Sequence, residues 1–403
     1  MHLTSQLSPL KKTVVGVQFL FVAFGATVLV PLLVGLDPAT ALFCAGVGTL
    51  IFHLITKGQV PIFVGSSFAF IAPIIKSTEL YGLSGTMSGL AAVGLMYVLM
   101  SGLIKAFGTG FIKRLFPPIV IGPVIILIGL SLASTGVNMA KENWILALIS
   151  LSTAVIVSLL GKGLMKLIPI FMGIVVGYIA AIFFFDVDFT LVIEAAWFAL
   201  PNFVTPSFSW EAVLFMIPVS IAPIIEHIGD VYTIGSVAKK DFVKEPGLHR
   251  TMLGDGVACI FSGLMGGPPV TTYSEVTGAI SLTKITDPSV IRIAAVAGIL
   301  FSVLGKVSAL LKTIPGPVLG GIMLLLFGTI ASVGITNLVQ HKVDMSNMRN
   351  MIVVSLILTF GIGGAQFVFG DFTLAGIGLS ALIGVLLNLI LPGEKESHET
   401  KEM

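Results

Sequence analysis

Charge is what this sequence has least of. Lysine, arginine, aspartate and glutamate together supply 10% of its 403 residues, where a water-soluble domain carries roughly 25%. That deficit excludes a solvated surface over most of the chain. Cysteine is scarce as well: Cys44 and Cys259 are the two, both in apolar surroundings and in no CxxC or ligand cluster. No disulfide framework and no metal site follows from them, and both read as packing residues. Also missing are HExxH, GxSxG and a Ser/Lys or paired-Asp arrangement, which argues against an intramembrane enzyme and leaves no cofactor to expect. The net charge is +2 and no basic tract has interleaved aromatics, so nucleic acid is not an expected partner.

What fills the sequence instead is apolar: 56% hydrophobic residues, a mean hydropathy of +1.06, 45 glycines and 20 prolines. Runs such as 13–34, 89–104, 290–311 and 351–369 approach or reach the ~20 residues that cross a hydrocarbon core. The chain therefore reads as an all-α polytopic membrane protein in contact with lipid. Its first apolar run is too long for the hydrophobic region of a cleavable signal and predicts a first transmembrane helix. Hydropathy and polar breaks predict about fourteen spans, starting near residues 13, 38, 60, 85, 118, 144, 166, 211, 251, 268, 288, 317, 349 and 372.

Lysine and arginine accumulate in cytoplasmic loops. With the N-terminus inside, 18 of the 22 basic residues fall on one side; Lys76, Lys141, Lys306 and Lys312 fall on the other. Both termini are then cytoplasmic, and "KKDFVKEPGLHR" (239–250) is a solvated inner loop.

An internal repeat is legible at a shift of 198 residues. "PPIVIGPVIILIGLSLASTGV" (117–137) lies over "PGPVLGGIMLLLFGTIASVGI" (315–335), matching Pro117 with Pro315, Gly122 with Gly320 and Gly136 with Gly334. "AAV" at 91–93 echoes "AAV" at 294–296. These are spans 5 with 12 and 4 with 11. A separation of seven spans is odd, so the halves are inverted, as in transporters that hold substrate near the midplane with interrupted helices. Two segments predict such interruptions: "VPIFVGSSFAFIAP" (60–73) and "GGPPVTTYSEVTGA" (266–279). Each has Pro and Gly at its edges and a run favouring extended backbone, Phe68-Ala69-Phe70 and 270–273. Unwound backbone at that depth is tolerated where protein or a cavity satisfies it, so the pair would offer backbone groups to a ligand.

"IIEHIGDVYTIG" (224–235) puts Glu226 and Asp230 four residues apart, on one face of a helix. Glu275 follows the second extended run. Acids at membrane depth cost several kcal/mol unless paired or facing water, so they are functional candidates by default. Two acids on one helix face can carry an exchangeable proton, which makes proton coupling an expectation. Asp255 in "GDGVA" reads as a helix-terminal or packing residue. His227 points about 100° away from Glu226 and reads as a structural hydrogen-bonding group; His53, at a span end, reads as interfacial.

The stretches "FGATVLVP" (24–31), "GSSFAFIAP" (65–73), "EHIGD" (226–230), "EPGLHR" (245–250) and "TTYSEVTGAISLTK" (271–284) resemble the nucleobase/ascorbate transporter (nucleobase:cation symporter-2) family, and within it the bacterial uracil branch. The similarity runs nearly the whole length. Glu275, Gly278, Thr283 and Lys284 match the family signature after the third-span strand of the second half. The resemblance implies fourteen spans in two inverted repeats of seven, with short β-strands interrupting spans 3 and 10. It implies a core domain from 1–115 (spans 1–4) and 206–314 (spans 8–11), a gate domain from 116–205 (spans 5–7) and 315–392 (spans 12–14), and a cytoplasmic tail at 393–403.

It also implies Glu226 and Glu275 as hydrogen-bond acceptors for the base, Phe68, Tyr273 and Ser274 as sources of backbone groups and ring contacts, Ala26 as a pocket wall, and Asp230 with Glu226 as the proton-coupling pair. Uracil sets N–H donors beside carbonyl acceptors, so carboxylates alternating with backbone N–H groups suit its edge. The function implied is proton-coupled uracil import across the bacterial inner membrane, by a protein that forms a homodimer through its gate domains. A xanthine or broad uracil/xanthine permease is the alternative, and an anion exchanger or channel of similar inverted-repeat fold a remoter one.

Three positions depart from the family pattern. Gln18 is followed by Phe19 where a Gln-His pair is common, Val276 stands where Asn commonly follows the site acid, and Asp230 stands where the uracil branch has His.

Overall fold

A computed structural model describes residues 8–162, 165–166, 168–185, 187–369 and 372–392, those at 26, 112, 113, 369, 372 and 373 by backbone alone. The tail at 393–403 lies outside the described residues.

Helices dominate. In chain order they begin with α1 (Pro9–Val34), α2 (Pro38–Ile55), a short strand β1 (Val64–Ser66) and α3 (Ile71–Phe107), which bends at Gly82. Next come α4 (Gly110–Leu115), α5 (Pro118–Ser131), α6 (Ala133–Ala140), α7 (Trp144–Leu160), α8 (Pro169–Phe184) and α9 (Thr190–Glu194). The second half holds α10 (Trp210–Met216), α11 (Ile221–Ala238), α12 (Leu248–Met265), strand β2 (Val270–Thr272), α13 (Ser274–Thr283), α14 (Pro288–Ser302) and α15 (Gly305–Lys312). It closes with α16 (Gly316–Gln340), α17 (Met348–Ile362), hairpin strands β3 (Gln366–Phe369) and β4 (Phe372–Ala375), and α18 (Gly376–Ile390).

The boundaries follow local chemistry. Asp37, Asn143, Asp287 and Asn347 cap the helices they precede by accepting backbone N–H bonds, and Pro occupies the first turn of α1, α2 and α14. Gly35 (φ 74°) and Gly266 (φ 82°) end α1 and α12 in the left-handed conformation. Among the described residues, six helical segments are long and apolar enough to span a bilayer, and five apolar helices of 10–17 residues accompany them.

The inverted repeat is visible as packing. The α5–α6 segment runs against α16, and its close approaches come in pairs related by the 198-residue shift. A Cβ on Gly122 would strike Leu338, and one on Gly320 would strike Ala140; a Cβ on Gly334 would strike Ile126, and one on Gly136 would touch Leu324. Gly129 meets Phe327, its own equivalent, so the twofold axis passes between them. Small residues let these backbones approach where lipid supplies no hydrophobic drive between helices. A second exchange of the same kind packs α2 on α14 and α12 on α3, with Gly46 against Ala295 and Gly256 against Gly94.

The strands form a two-stranded antiparallel ladder, Val64 opposite Thr272, Gly65 opposite Thr271 and Ser66 opposite Val270. The extended run in the first half is thus 64–66. Phe68–Phe70, read above as extended, is a turn of 3-10 helix leading into α3. The pairing decides this: Ser67 N–H donates to Pro269 O (3.0 Å) and Tyr273 N–H to Phe63 O (3.1 Å), so each ladder closes one residue before its helix begins. His53 also differs from expectation. It is 2% exposed, and its Nε2 donates to Ile62 O at 2.9 Å, because the chain after α2 folds back over the helix end. Both cysteines are buried, and the Cys259 thiol donates to Val270 O (3.3 Å), tying α12 to β2.

Candidate functional site

The two interruptions meet at the ladder. From it α3 and α13 lead away, one from each half, so two helix starts flank the same small volume. The first N–H groups of a helix have no acceptor within it, and here the ladder consumes those of Ser67 and Tyr273 while the residues after them begin the helices.

Against this frame lies α11, whose N-terminal side is broken by a 3-10 turn at Pro218–Ser220. It presents Glu226 and Asp230 one turn apart. Asp230 is held fast: Thr272 Oγ1 donates to its Oδ2 at 2.6 Å and Ser274 Oγ to its Oδ1 at 2.5 Å. Both oxygens are therefore occupied, and α11 is joined to β2 and the start of α13. Glu226 differs. It is only partly buried and accepts no hydrogen bond from any described residue, and three acids, Asp230, Glu275 and Asp255, lie within its electrostatic reach. Glu275, in the first turn of α13, is accessible and reaches only its own backbone N–H. Two carboxyls from the second half of the chain, one on α11 and one on α13, thus lie within electrostatic reach of each other where α11 packs on β2 and α13, with acceptor capacity unspent.

His227 turns from this face into the protein. It is fully buried, with Nδ1 2.7 Å from Asp255 Oδ2 and Nε2 3.0 Å from Thr251 Oγ1, and Thr271 adds a hydroxyl at 3.4 Å to the same Asp255 oxygen. Asp255 lies in the middle of α12 rather than at its end, and this network bolts α11 to α12 beneath the ladder. Tyr273 is likewise internal: its hydroxyl donates to Ser66 O (2.9 Å) and accepts from Thr27 Oγ1 (3.1 Å), and its ring covers Gly65, where a Cβ would sit 2.6 Å from Cζ. Ser274 contributes a hydroxyl to Asp230 in addition to its place at the helix start. Phe68 is half-buried and meets Phe327 of α16 edge to face, ring centres 6.5 Å apart. Ala26 lies within α1, and its side chain falls outside the described residues. Val276, at 1% exposure, packs inward. Gly278 and Thr283 are in α13, and Lys284 is its left-handed cap (φ 59°).

Sequence reasoning did not find Thr272, Thr27 or Phe327. Hydroxyls next to a strand carry no signal until the strand's partner is known, and Phe327 reads as one apolar residue among many. Among the described residues no three His, Cys, Asp or Glu side chains group to hold a metal. Two surface cavities, of about 620 and 260 Å³, lie away from these carboxyls.

The Permease family model, Xan_ur_permease, matches residues 10–368. The probable uracil permease of Haemophilus influenzae is 49% identical, the alignment covering 98% of each chain. The uracil permease of Bacillus caldolyticus is 45% identical over 95% of this chain and 93% of its own. Among solved structures, the transmembrane domain of the cyanobacterial bicarbonate transporter BicA aligns with a TM-score of 0.66 at 17% identity, covering 96% of this chain and 99% of that one. The murine anion transporter Slc26a9, inward-facing, aligns with a TM-score of 0.73 at 11% identity, covering 95% and 68%. At such identities the likeness is one of fold, that of inverted-repeat transporters. A match over most of the length and relatives near half-identical from end to end establish that this chain belongs to the xanthine/uracil permease family of membrane transporters.

Proposed function

We propose that this chain is a proton-coupled symporter that imports uracil across the bacterial inner membrane by alternating access, both termini facing the cytoplasm. The observation that carries the reading is the pair of carboxyls, Glu226 and Glu275, left without side-chain donors beside the ladder while the neighbouring Asp230 is fully engaged. Uracil N–H groups are the donors such acceptors lack, and the start of the 3-10 turn at Phe68 and the opening residues of α13 supply N–H groups for its carbonyls. The ring of Phe68 gives the base a planar face to lie on. Relatives named as uracil permeases support the choice of base.

In this reading α1–α4 and α10–α15 form a core that carries the base, and α5–α9 with α16–α18 form the gate against which it moves; two copies associate through their gates. A proton on Asp230 or Glu226 travels with the neutral base. Asp230 also favours a second reading, a xanthine or broad uracil/xanthine carrier. The anion-carrying fold relatives do not extend to function here, because an acidic site repels an anionic substrate.

Uptake of radiolabelled uracil into proteoliposomes tests both. Accumulation should collapse when an uncoupler dissipates the proton gradient, and excess thymine, xanthine or urate should compete far less than unlabelled uracil. Uptake indifferent to the gradient removes proton coupling, and competition by xanthine equal to that by uracil moves the substrate to the second reading.

A further inference from the structure

The larger cavity lies far from the carboxyls, at the edge that the positive-inside distribution assigns to the cytoplasm. There α1 and α14 begin side by side, held close because Gly16 leaves room for Ile293, which a Cβ at that position would strike. Above this contact the two helix starts enclose a groove of about 620 Å³ lined by Pro9, Lys12, Thr13, Ser289, Arg292, Ile293 and Val296.

We propose that this groove binds the phosphate headgroup of an anionic phospholipid. Its rim carries two cations, Lys12 and Arg292, and two hydroxyls. One acid, Asp287, stands near, and it is already engaged: it accepts from Lys12 Nζ at 2.7 Å and caps α14 through Ser289 N at 2.9 Å. Arg292 makes no ion pair or hydrogen bond among the described residues. Its guanidinium lies over the turn at Gly58, where a Cβ would come within 2.7 Å of Nη1, so the group is positioned yet uncompensated. Lys12 also reaches Ser289 Oγ at 3.4 Å, which gathers the polar groups on one wall.

What lies below the rim selects a lipid over a soluble anion. Ile293, Val296 and Leu300 follow one another at helical spacing on α14, with Val296 47% and Leu300 61% exposed. A headgroup seated on Arg292 and Lys12 would send its acyl chains along this stripe, whereas a free phosphate would leave the stripe unused. Basic grooves between transmembrane helices at the cytoplasmic surface are suited to anionic headgroups, each lysine or arginine contributing about 1 kcal/mol near the surface.

Native mass spectrometry of the purified full-length chain, released from nanodiscs of phosphatidylcholine with and without phosphatidylglycerol, tests the site. Wild type should retain phosphatidylglycerol preferentially, Arg292→Gln should retain it roughly fivefold less, and Arg292→Lys should restore most of the difference. Ser289→Glu, a change that a helix start tolerates, should also lower retention by opposing the phosphate. Equal unfolding temperatures in phosphatidylcholine alone confirm that the variants fold. Indifference of wild type to headgroup charge, full retention by both Arg292→Gln and Ser289→Glu, or displacement of phosphatidylglycerol by inorganic phosphate would each overturn the proposal.

Discussion

Three acids lie close together and differ in how their oxygens are occupied. Asp230 accepts two hydroxyl bonds and so has a defined place; Glu226 and Glu275 have none from neighbouring side chains and so have capacity for a guest. Glu275→Gln should therefore weaken uracil binding by about 10- to 100-fold, since an amide can put a donor where the base also donates. Scintillation proximity binding reads this directly, and wild-type affinity would show that the pocket lies elsewhere. Asp230→Asn keeps one acceptor but sets an amide N–H₂ against a hydroxyl and removes the titratable proton. Gradient-driven accumulation should drop about tenfold while equilibrium binding changes less. Accumulation at the wild-type level would make Asp230 purely structural. The acids themselves were legible in the sequence as charges inside apolar runs. Their different bonding was not, because Thr272 and Ser274 become donors to Asp230 only once β2 is laid beside α11.

At the level of elements, the ladder and its two helices are the unit that brings the halves together. Gly65 sits on its twofold position opposite Thr271, under the Tyr273 ring, and any Cβ there must displace that ring and with it the bonds to Ser66 and Thr27. Gly65→Ala is expected to destabilise the protein by about 1–3 kcal/mol and to reduce uracil transport at least as strongly as Glu275→Gln, measured by unfolding temperature and proteoliposome uptake together. An unchanged unfolding temperature would mean the ring moves freely. The sequence located both interruptions from their Pro and Gly punctuation, and in the second half the strand itself. In the first half the β-favouring Phe68-Ala69-Phe70 turned out helical, because the partner strand's register ends at Ser66. Propensity is local, and a strand of three residues is decided by its neighbour.

Across the whole molecule, the end of the helix bundle where α2 begins is tied by Asp37. It caps α2 and receives Asn202 N–H (3.1 Å), Ser308 Oγ (3.4 Å) and Lys312 Nζ (2.7 Å), linking the start of α2 to α15, the connection into α16. Burial alone would raise its pKa, yet the Lys312 bond and the Asn202 and Thr40 N–H groups outweigh burial and hold it below the ordinary carboxylate range. A carboxyl depressed in the folded state stabilises above its unfolded pKa, about 3.9, and that contribution is lost as pH falls through the lower folded value. Lys312→Met should lower the unfolding temperature at neutral pH and narrow its gap to wild type below about pH 4. A gap that stays constant with pH would assign the effect to packing.

Composition alone determined the solvent of this protein: a chain this poor in charge and this rich in long apolar runs has its stable state in lipid. Periodic punctuation determined the inverted repeat, since matching Pro and Gly positions record backbone geometry that both halves must share. Tertiary structure alone decided which buried polar groups satisfy one another. His53, His227, Asp255 and Tyr273 all found internal partners more than eight residues away, and no local pattern specifies such pairings. Which accessible charges stay without a partner, Glu226 and Glu275 near the ladder and Arg292 beside α1 among them, is likewise legible only in three dimensions, because a donor or acceptor is counted as free only when every neighbour is known.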